Sequence, residues 1–349
     1  MRFGVLLLAA LLAGPALSAQ DDVPSDGQWL IERAKQSGKV HLTVRYGDQG
    51  DRYSSNWGRT VLLSEFVGLS AADMDGSGQT VNFKIVRSAG TLTCEGWFAR
   101  GKGSGHFTYE PNANFVAELT KRGVNAPTEW EQFQMTMAGV GLDLVDELKR
   151  QRYDTPTASV LARMATHGVD LEYVRDLGAR GYHLEEPESL VRMRDHGVDP
   201  DFIESLDRAG YKKLSAEELV RMRDHGVNPE FIEELGKAGY KNLSVENLVR
   251  LRDHGVTEEY IVDMKEAGYA PADPEELVQS RDHGVDPFYI RSLKAAGYEG
   301  LTLHELRRAR DHGVTKSFIE RVKSSGYGKP SIDEVIRLRD RGLDVGSRP

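Results

Sequence analysis

Glycines recur in this chain with a period of 29 residues. Gly139, Gly168, Gly197, Gly226, Gly255, Gly284, Gly313 and Gly342 form one series. Gly123, Gly181, Gly210, Gly239, Gly268, Gly297 and Gly326 form a second, offset by 13 residues, with Arg152 in its one vacancy. No insertion disturbs the register, and a fixed period of this length is the signature of a repeat architecture.

Residues 214–240 show how one unit is built. Ser215 is placed to cap a first helix, and Glu218 completes a capping box. Leu219, Val220 and Met222 supply its apolar stripe, and Gly226 ends it, because a left-handed residue after the last turn costs least as glycine. Asn228 caps a second helix with Pro229 at its first position, where a missing N–H does no harm. Phe231, Ile232 and Leu235 form its stripe, and Gly239 and Tyr240 follow its end. Each helix is about ten residues, below the roughly 12–15 that an isolated helix needs in water. The units must therefore stabilise one another by stacking. The recurring aromatics, Tyr173, Phe202, Phe231, Tyr260, Tyr289 and Phe318 on the second helices and Tyr182, Tyr211, Tyr240, Tyr269, Tyr298 and Tyr327 after them, are expected in the core.

The sequence before the repeats is of another kind. Arg2, the apolar run Phe3–Ala13 and the small residues Ala16–Ala19 read as a secretory signal over 1–19. Residues 20–38 read as a linker with a short helix from Trp29 to Gln36. From 39 to 110 the period changes to two, as in Val40, Leu42, Val44 and in Val81, Phe83, Ile85. This predicts a small antiparallel meander of five or six strands, with turns at Gly47–Asp51, Asp73–Gly78, Ser88–Gly90 and Gly101–Gly105. Asp73–Gly78 resembles the start of a calcium loop, but Lys84 stands where the bidentate Glu belongs, which favours a hairpin turn. Cys94, the one cysteine, alternates with polar residues and is expected to face a core.

The repeats are acidic. Residues 111–349 hold 34 basic and 43 acidic side chains within a net charge of −9, with no basic run. Nucleic acid is therefore a poor partner. The motif Arg-Asp-His-Gly-Val recurs from 194, 223, 252, 281 and 310. Its histidines lie one repeat apart, about 10 Å along a stack, too far to share a metal ion. They are better suited to the last helical turn, where a cation meets the helix dipole. The arginines Arg194, Arg223, Arg252, Arg281, Arg310 and Arg339, with Arg192, Arg221, Arg250, Arg308 and Arg337, are expected to form an ion-pair ladder with Asp195, Asp224, Asp253, Asp282, Asp311 and Asp340. The alternative is a stripe that receives an acidic partner. His304-Glu305 begins a zincin-like pattern that lacks its second histidine, and no nucleophile elbow or phosphate loop occurs.

Several segments carry a resemblance: Arg59–Leu69, Val81–Gly90, Glu95–Phe98, Gly101–Phe107 and the repeated Leu-Val-Arg-Met-Arg-Asp-His-Gly-Val. Together, over roughly Val40 to Gly342, they resemble the non-catalytic tail of bacterial BlaR-type membrane zinc metallopeptidases and related stand-alone secreted proteins. The peptidase motifs themselves are missing. The resemblance implies a sensor- or partner-type module and brings no catalytic residue with it.

The sequence thus predicts an α+β, mostly α protein. A small N-terminal antiparallel β domain (39–110) precedes a right-handed-type α-solenoid of 29-residue two-helix repeats (111–343) and a tail (344–349). The expected role is non-enzymatic binding of a protein or peptide in the cell envelope, with no cofactor, metal, nucleic acid or stable membrane insertion. The surface expected to bind comprises Arg194, Arg223, Arg252, Arg281 and Arg310 together with Glu204, Glu233 and Arg291, because exposed positions of the second helices vary most on a constant scaffold. The other readings are a hydrolase with its site near His41, Glu95 and His106 on the β domain, and a structural spacer.

Overall fold

The computed structural model describes residues 25–46 and 55–342. The expected signal at 1–19, the turn at Gly47–Asp51 and the tail at 344–349 lie outside the described residues. The chain divides into two compact units, one ending at Val191 and the other beginning at Arg192. The division falls within the helical part, so the sheet and the first helices belong to one unit.

The first unit opens with seven antiparallel strands: β1 (Asp26–Arg33), β2 (Lys39–Tyr46), β3 (Ser55–Leu62), β4 (Phe66–Val67), β5 (Gln79–Val86), β6 (Gly90–Ala99) and β7 (Lys102–Pro111). Their order in the curled sheet is β3-β2-β1-β7-β6-β5-β4. A short 3-10 turn, Leu63–Glu65, links β3 directly to β4, so the chain passes from one edge strand to the other. Inside the curl lie Trp29, Ile31, Val44, Phe83, Leu92, Phe98 and Phe107.

Two expectations are corrected here. Trp29 to Arg33 is strand, not the short helix expected between Trp29 and Gln36. Trp29 and Ile31 both point into the core while Gln28 and Glu32 do not, which is period two. β1 also sits in mid-sheet, paired to β2 on one side and β7 on the other. The Asp73–Gly78 segment is not a simple hairpin turn. It is the end of a short helix, α1 (Ala71–Asp75), capped by Ser70 in a capping box with Asp73. The Asp73 carboxylate accepts from Ser70 and from Gln79 Nε2 at 2.9 Å, and Asp75 pairs with Arg33. Cys94 faces the core as expected, and burial pushes its thiol up to about 12.

Helices α2 (Ala113–Lys121), α3 (Glu129–Ala138), α4 (Leu142–Arg150), α5 (Ala158–Thr166) and α6 (Leu171–Ala179) complete the first unit, with α7 (Pro187–Asp195) at its end. α3 packs on β6 and β7, and its Phe133 meets Tyr109 of β7 and Tyr46 of β2 edge-on, each at 5.0 Å. A buried carboxylate, Glu147, ties α4 to α6. It accepts from Arg150 and Gln151 and lies 3.4 Å from Arg175 Nε.

The second unit continues with α8 (Pro200–Arg208), α9 (Ala216–Asp224), α10 (Pro229–Ala238), α11 (Val245–Asp253), α12 (Glu258–Glu266), α13 (Pro274–Asp282), α14 (Pro287–Ala295), α15 (Leu303–Asp311), α16 (Lys316–Val322) and α17 (Ile332–Asp340). The helices pack by parity: α9, α11, α13, α15 and α17 in one row, and α10, α12, α14 and α16 in another. Caps fall where the sequence puts them, with Ser215 and Glu218 in a capping box and Asn228 bonded to the Phe231 N–H.

Gly226 has φ +67°, and an added Cβ there would make only ordinary contact with Arg252, so the backbone alone requires glycine. At the vacancy in the second glycine series, Arg152 is forced to φ +67° as well. Gly226→Ala should therefore lower stability by about 1 kcal/mol, and Arg152→Gly should raise it by a similar amount. Denaturant midpoints check both, and equal midpoints for either variant and the wild type would refute the left-handed stop.

The Arg150 guanidinium, with help from Gln151 and Arg175, lowers the Glu147 carboxyl from 4.5 to about 2. A lowered folded value means stability that is fully present above the unfolded value and is lost as pH falls through the folded one. Between about pH 4.5 and pH 2 the wild type should lose about 1–3 kcal/mol through this group, and Glu147→Gln should lose correspondingly less over that window. Parallel acid limbs in the two proteins would show that the carboxylate contributes nothing.

Candidate functional site

The recurring charged residues are engaged between successive repeats. Arg192, Arg221, Arg250 and Arg308 on the first helices reach the acid near the start of the next first helix. The partners are Glu217 (2.9 Å), Glu246 (2.7 Å), Glu275 (2.8 Å) and Asp333 (2.9 Å). The ladder skips one step, where Gln279 replaces the arginine and His304 replaces the acid, so base and acid are lost together.

The Arg-Asp-His motif does not pair within itself. His196, His225, His254, His283 and His312 each place Nδ1 2.6–2.8 Å from the carboxylate of Asp224, Asp253, Asp282, Asp311 and Asp340, one unit on. The geometry places the imidazole proton on Nδ1, facing the carboxylate. The expected Arg–Asp ladder is thus a His–Asp ladder. Both groups at each rung remain 33–47% exposed.

The arginine of the motif stacks instead. Arg223, Arg252, Arg281 and Arg310 lie 4.4–4.9 Å above the rings of Phe202, Phe231, Tyr260 and Tyr289 in the preceding unit. These guanidinium groups thus have one face on a ring and remain exposed on the other. Arg194 occupies the same register on α7. Burial pushes the Tyr260 hydroxyl up to about 12 and raises that of Tyr289, and each donates to a valine carbonyl of the next unit. A last series joins the loops: Tyr211, Tyr240, Tyr269 and Tyr298 donate to the carbonyls of Leu243, Pro271, Leu301 and Pro330 at 2.6–2.9 Å.

The second helices behave differently. Along one outer register stand Glu204, Glu233, Val262, Arg291 and Glu320, and along another Asp201, Glu230, Glu259, Phe288 and Ser317. Phe288 is 75% exposed. Glu204 lies 3.2 Å from Arg208 and Glu233 2.8 Å from Lys237, each within its own helix. α8 and α10 pack less closely than the second-helix pairs that follow, and a groove of about 1250 Å³ opens there. Its lining includes Asp201, Ala209, Tyr211, Glu230, Gly236 and Tyr240. Sequence reasoning marked the varying positions but missed the groove. The signal for it is Gly236, a helix-interior glycine where the next three units have lysine.

The first unit holds a smaller recess of about 480 Å³ beside Arg59, Asp143 and Asp170. Arg59 already lies 3.4 Å from Asp170 there. The residues of the hydrolase reading do not converge. Glu95 is directly opposite His106, which pairs with Gln28 of β1, whereas His41 pairs with Glu32. Four residues of strand, roughly 13 Å, separate the two rows, and His41 is hydrogen-bonded to Thr60 at 2.7 Å. Among the described residues, no cluster of three or more His, Cys, Asp or Glu side chains is placed to hold a metal ion, and no helix is long and apolar enough to cross a membrane.

No protein-family model matches the chain, and comparison with curated proteins gives no match either.

An exposed ion pair is worth about 0.2–1 kcal/mol. A double-mutant cycle on His225→Ala and Asp253→Ala should give a coupling energy within that range that shrinks in high salt. Additive single effects would show that the rung is ornamental.

Proposed function

We propose that this is an exported, non-enzymatic α-solenoid that binds a protein or peptide partner in the cell envelope along its second helices. The observation that carries the reading is a division of labour between the two helices. The repeated side chains of the first helices are spent on bonds between units, while the outer positions of the second helices change from unit to unit and border the α8–α10 groove. A constant scaffold with a varying face is what a binding repeat protein needs. A spacer has no use for such variation, and Phe288 at 75% exposure is a residue that a partner would cover. The apolar signal-like start supports export, and the resemblance to a non-catalytic metallopeptidase tail points the same way. Of the surface expected from sequence, Glu204, Glu233 and Arg291 are retained as contact residues. The stacked arginines take part through the guanidinium faces they leave exposed.

Photo-crosslinking side chains introduced singly at Glu204, Glu233 and Arg291 test the assignment in cells of the source organism. Exposed controls are His304 on α15 and Lys84 on β5. One discrete product of the same mass should appear from all three second-helix positions and from neither control. Absence of any product, or equal products from every position, refutes the reading.

A further inference from the structure

The second helices carry a lysine site at one register: Lys294 and Lys323 fill it, Lys265 is exposed and leaves Ala238 uncovered, and Gly178, Asp207 and Gly236 bring no lysine to it. Lys294 of α14 reaches back to the carbonyl of Ala267 at the end of α12, at 2.6 Å, with its ammonium 5.9 Å from the centre of the Tyr269 ring. Lys323 does the same one unit later, to the carbonyl of Ala296 over the Tyr298 ring. The chemistry is sound on three counts. A helix C-terminus presents carbonyls without partners, its dipole favours a cation, and an aromatic face adds to the attraction. Both covered alanines are buried, Ala267 at 5% exposure and Ala296 at 4%.

The matching register in α10 is Gly236. The berth it should fill is otherwise intact. Ala209 ends the preceding second helix, and Tyr211 makes the same loop bond as Tyr269 and Tyr298, to the Leu243 carbonyl at 2.9 Å. Ala209 is half-exposed, and both residues line the groove of about 1250 Å³. Close packing does not explain the glycine. A Cβ at 236 meets nothing within 4 Å, whereas one at Gly178, the same register in α6, would sit 2.2 Å from Gln151 Oε1. Lys265, at this register in α12, is exposed, and Ala238 before it stays half-exposed, which is how an uncovered berth looks. The groove around Ala209 is also lined by Asp201 and Glu230, and of its cations Arg208, Arg223 and Lys237 pair with Glu204, Asp199 and Glu233.

We propose that the α8–α10 groove receives a lysine side chain of the protein partner, its ammonium seated against the Ala209 carbonyl over the Tyr211 ring, where Gly236 leaves the place of the chain's own lysine vacant. The proposal rests on the partner-binding reading and names the chemistry that reading lacks. The groove is larger than one side chain, so the partner's backbone and neighbouring residues share it, with Asp201 and Glu230 facing the incoming charge.

The test uses the full chain and the peptide acetyl-Gly-Lys-Gly-amide, followed through the NMR signals of Ala209, Gly210, Tyr211 and residue 236. The same peptide with Nε-acetyl-lysine is the neutral control. The lysine peptide should shift these signals and the acetylated one should not. Gly236→Lys, which supplies the missing side chain, should weaken the response at least about tenfold. Gly236→Ala makes the same backbone change without filling the berth and should bind within about twofold of wild type. Both variants should melt no lower than wild type, since each replaces a helix-interior glycine. The proposal is overturned if the wild type does not respond, if the acetylated peptide acts equally, or if Gly236→Lys binds as well as wild type. Lysine binding without a crosslinked partner sinks only the broader reading, and crosslinks without a lysine response sink only this one.

Discussion

A nine-residue helix cannot stand alone, and every feature of the second unit follows from that constraint. Glycine at φ near +66° stops each first helix before it reaches a self-sufficient length. The carbonyls left over at the stop need partners beyond the helical ladder. Some are met at the stop itself, as where the Gly226 and Val227 N–H groups donate to the Arg223 and Met222 carbonyls, and side chains then tie the units together: tyrosine hydroxyls to loop carbonyls, imidazoles to carboxylates, guanidinium planes to rings, and lysines to helix ends. Each bond has a fixed sequence offset, so one insertion would dislocate all of them together. That is a physical reason for a register without insertions.

The bonds are individually weak. An exposed ion pair contributes about 0.2–1 kcal/mol, and a cation over a ring about as much. Burial of Leu219, Val220, Met222, Phe231 and Leu235 and their equivalents provides the larger share. The polar ladders serve a different end. Apolar stripes tolerate sliding, whereas a His–Asp rung at 2.6–2.8 Å with an Arg–aromatic stack beside it fixes where the next unit sits. This is specificity of stacking added to a hydrophobic drive.

Much of this was legible in the sequence, and the failures have identifiable causes. Caps, stops and helix pairs follow from local rules, and the structure bears those rules out residue by residue at Ser215, Gly226 and Asn228, whereas of the aromatics expected in the core Tyr211, Tyr240 and Tyr269 are only partly buried and Tyr327 is exposed. The ladder partners do not follow, because in a strict repeat every pair of residue types recurs at a constant spacing. Arg223, Asp224 and His225 are contiguous, and only the helix orientation decides that the carboxylate meets the preceding histidine while the arginine turns to a ring. Trp29–Arg33 was misread because a short apolar run fits either period, and its place in mid-sheet is a long-range fact. The groove was invisible for a related reason. Gly236 and Gly178 look alike in sequence, and only three-dimensional neighbours show one crowded and the other open.

That contrast gives a way to read departures from a repeat. The loss of Arg at Gln279 is matched by the loss of its acid at His304. Arg307, in a register otherwise held by Val220, Val249 and Val278, would be a buried lone charge, but Glu276 meets it at 2.8 Å. Glu276 is thereby withdrawn from the capping box of α13, and Asp273 caps Glu275 instead. Gly178 is matched by Gln151, which takes the space. Each of these departures comes with its own compensation, as required if stacking is to survive. At Gly236 no such compensation stands among the described residues: an added Cβ would meet nothing within 4 Å, and the position lines a groove with Ala209, Tyr211, Asp201 and Glu230. On the partner-binding proposal, a defect that stability does not repair marks where a repeat array keeps room for something other than itself.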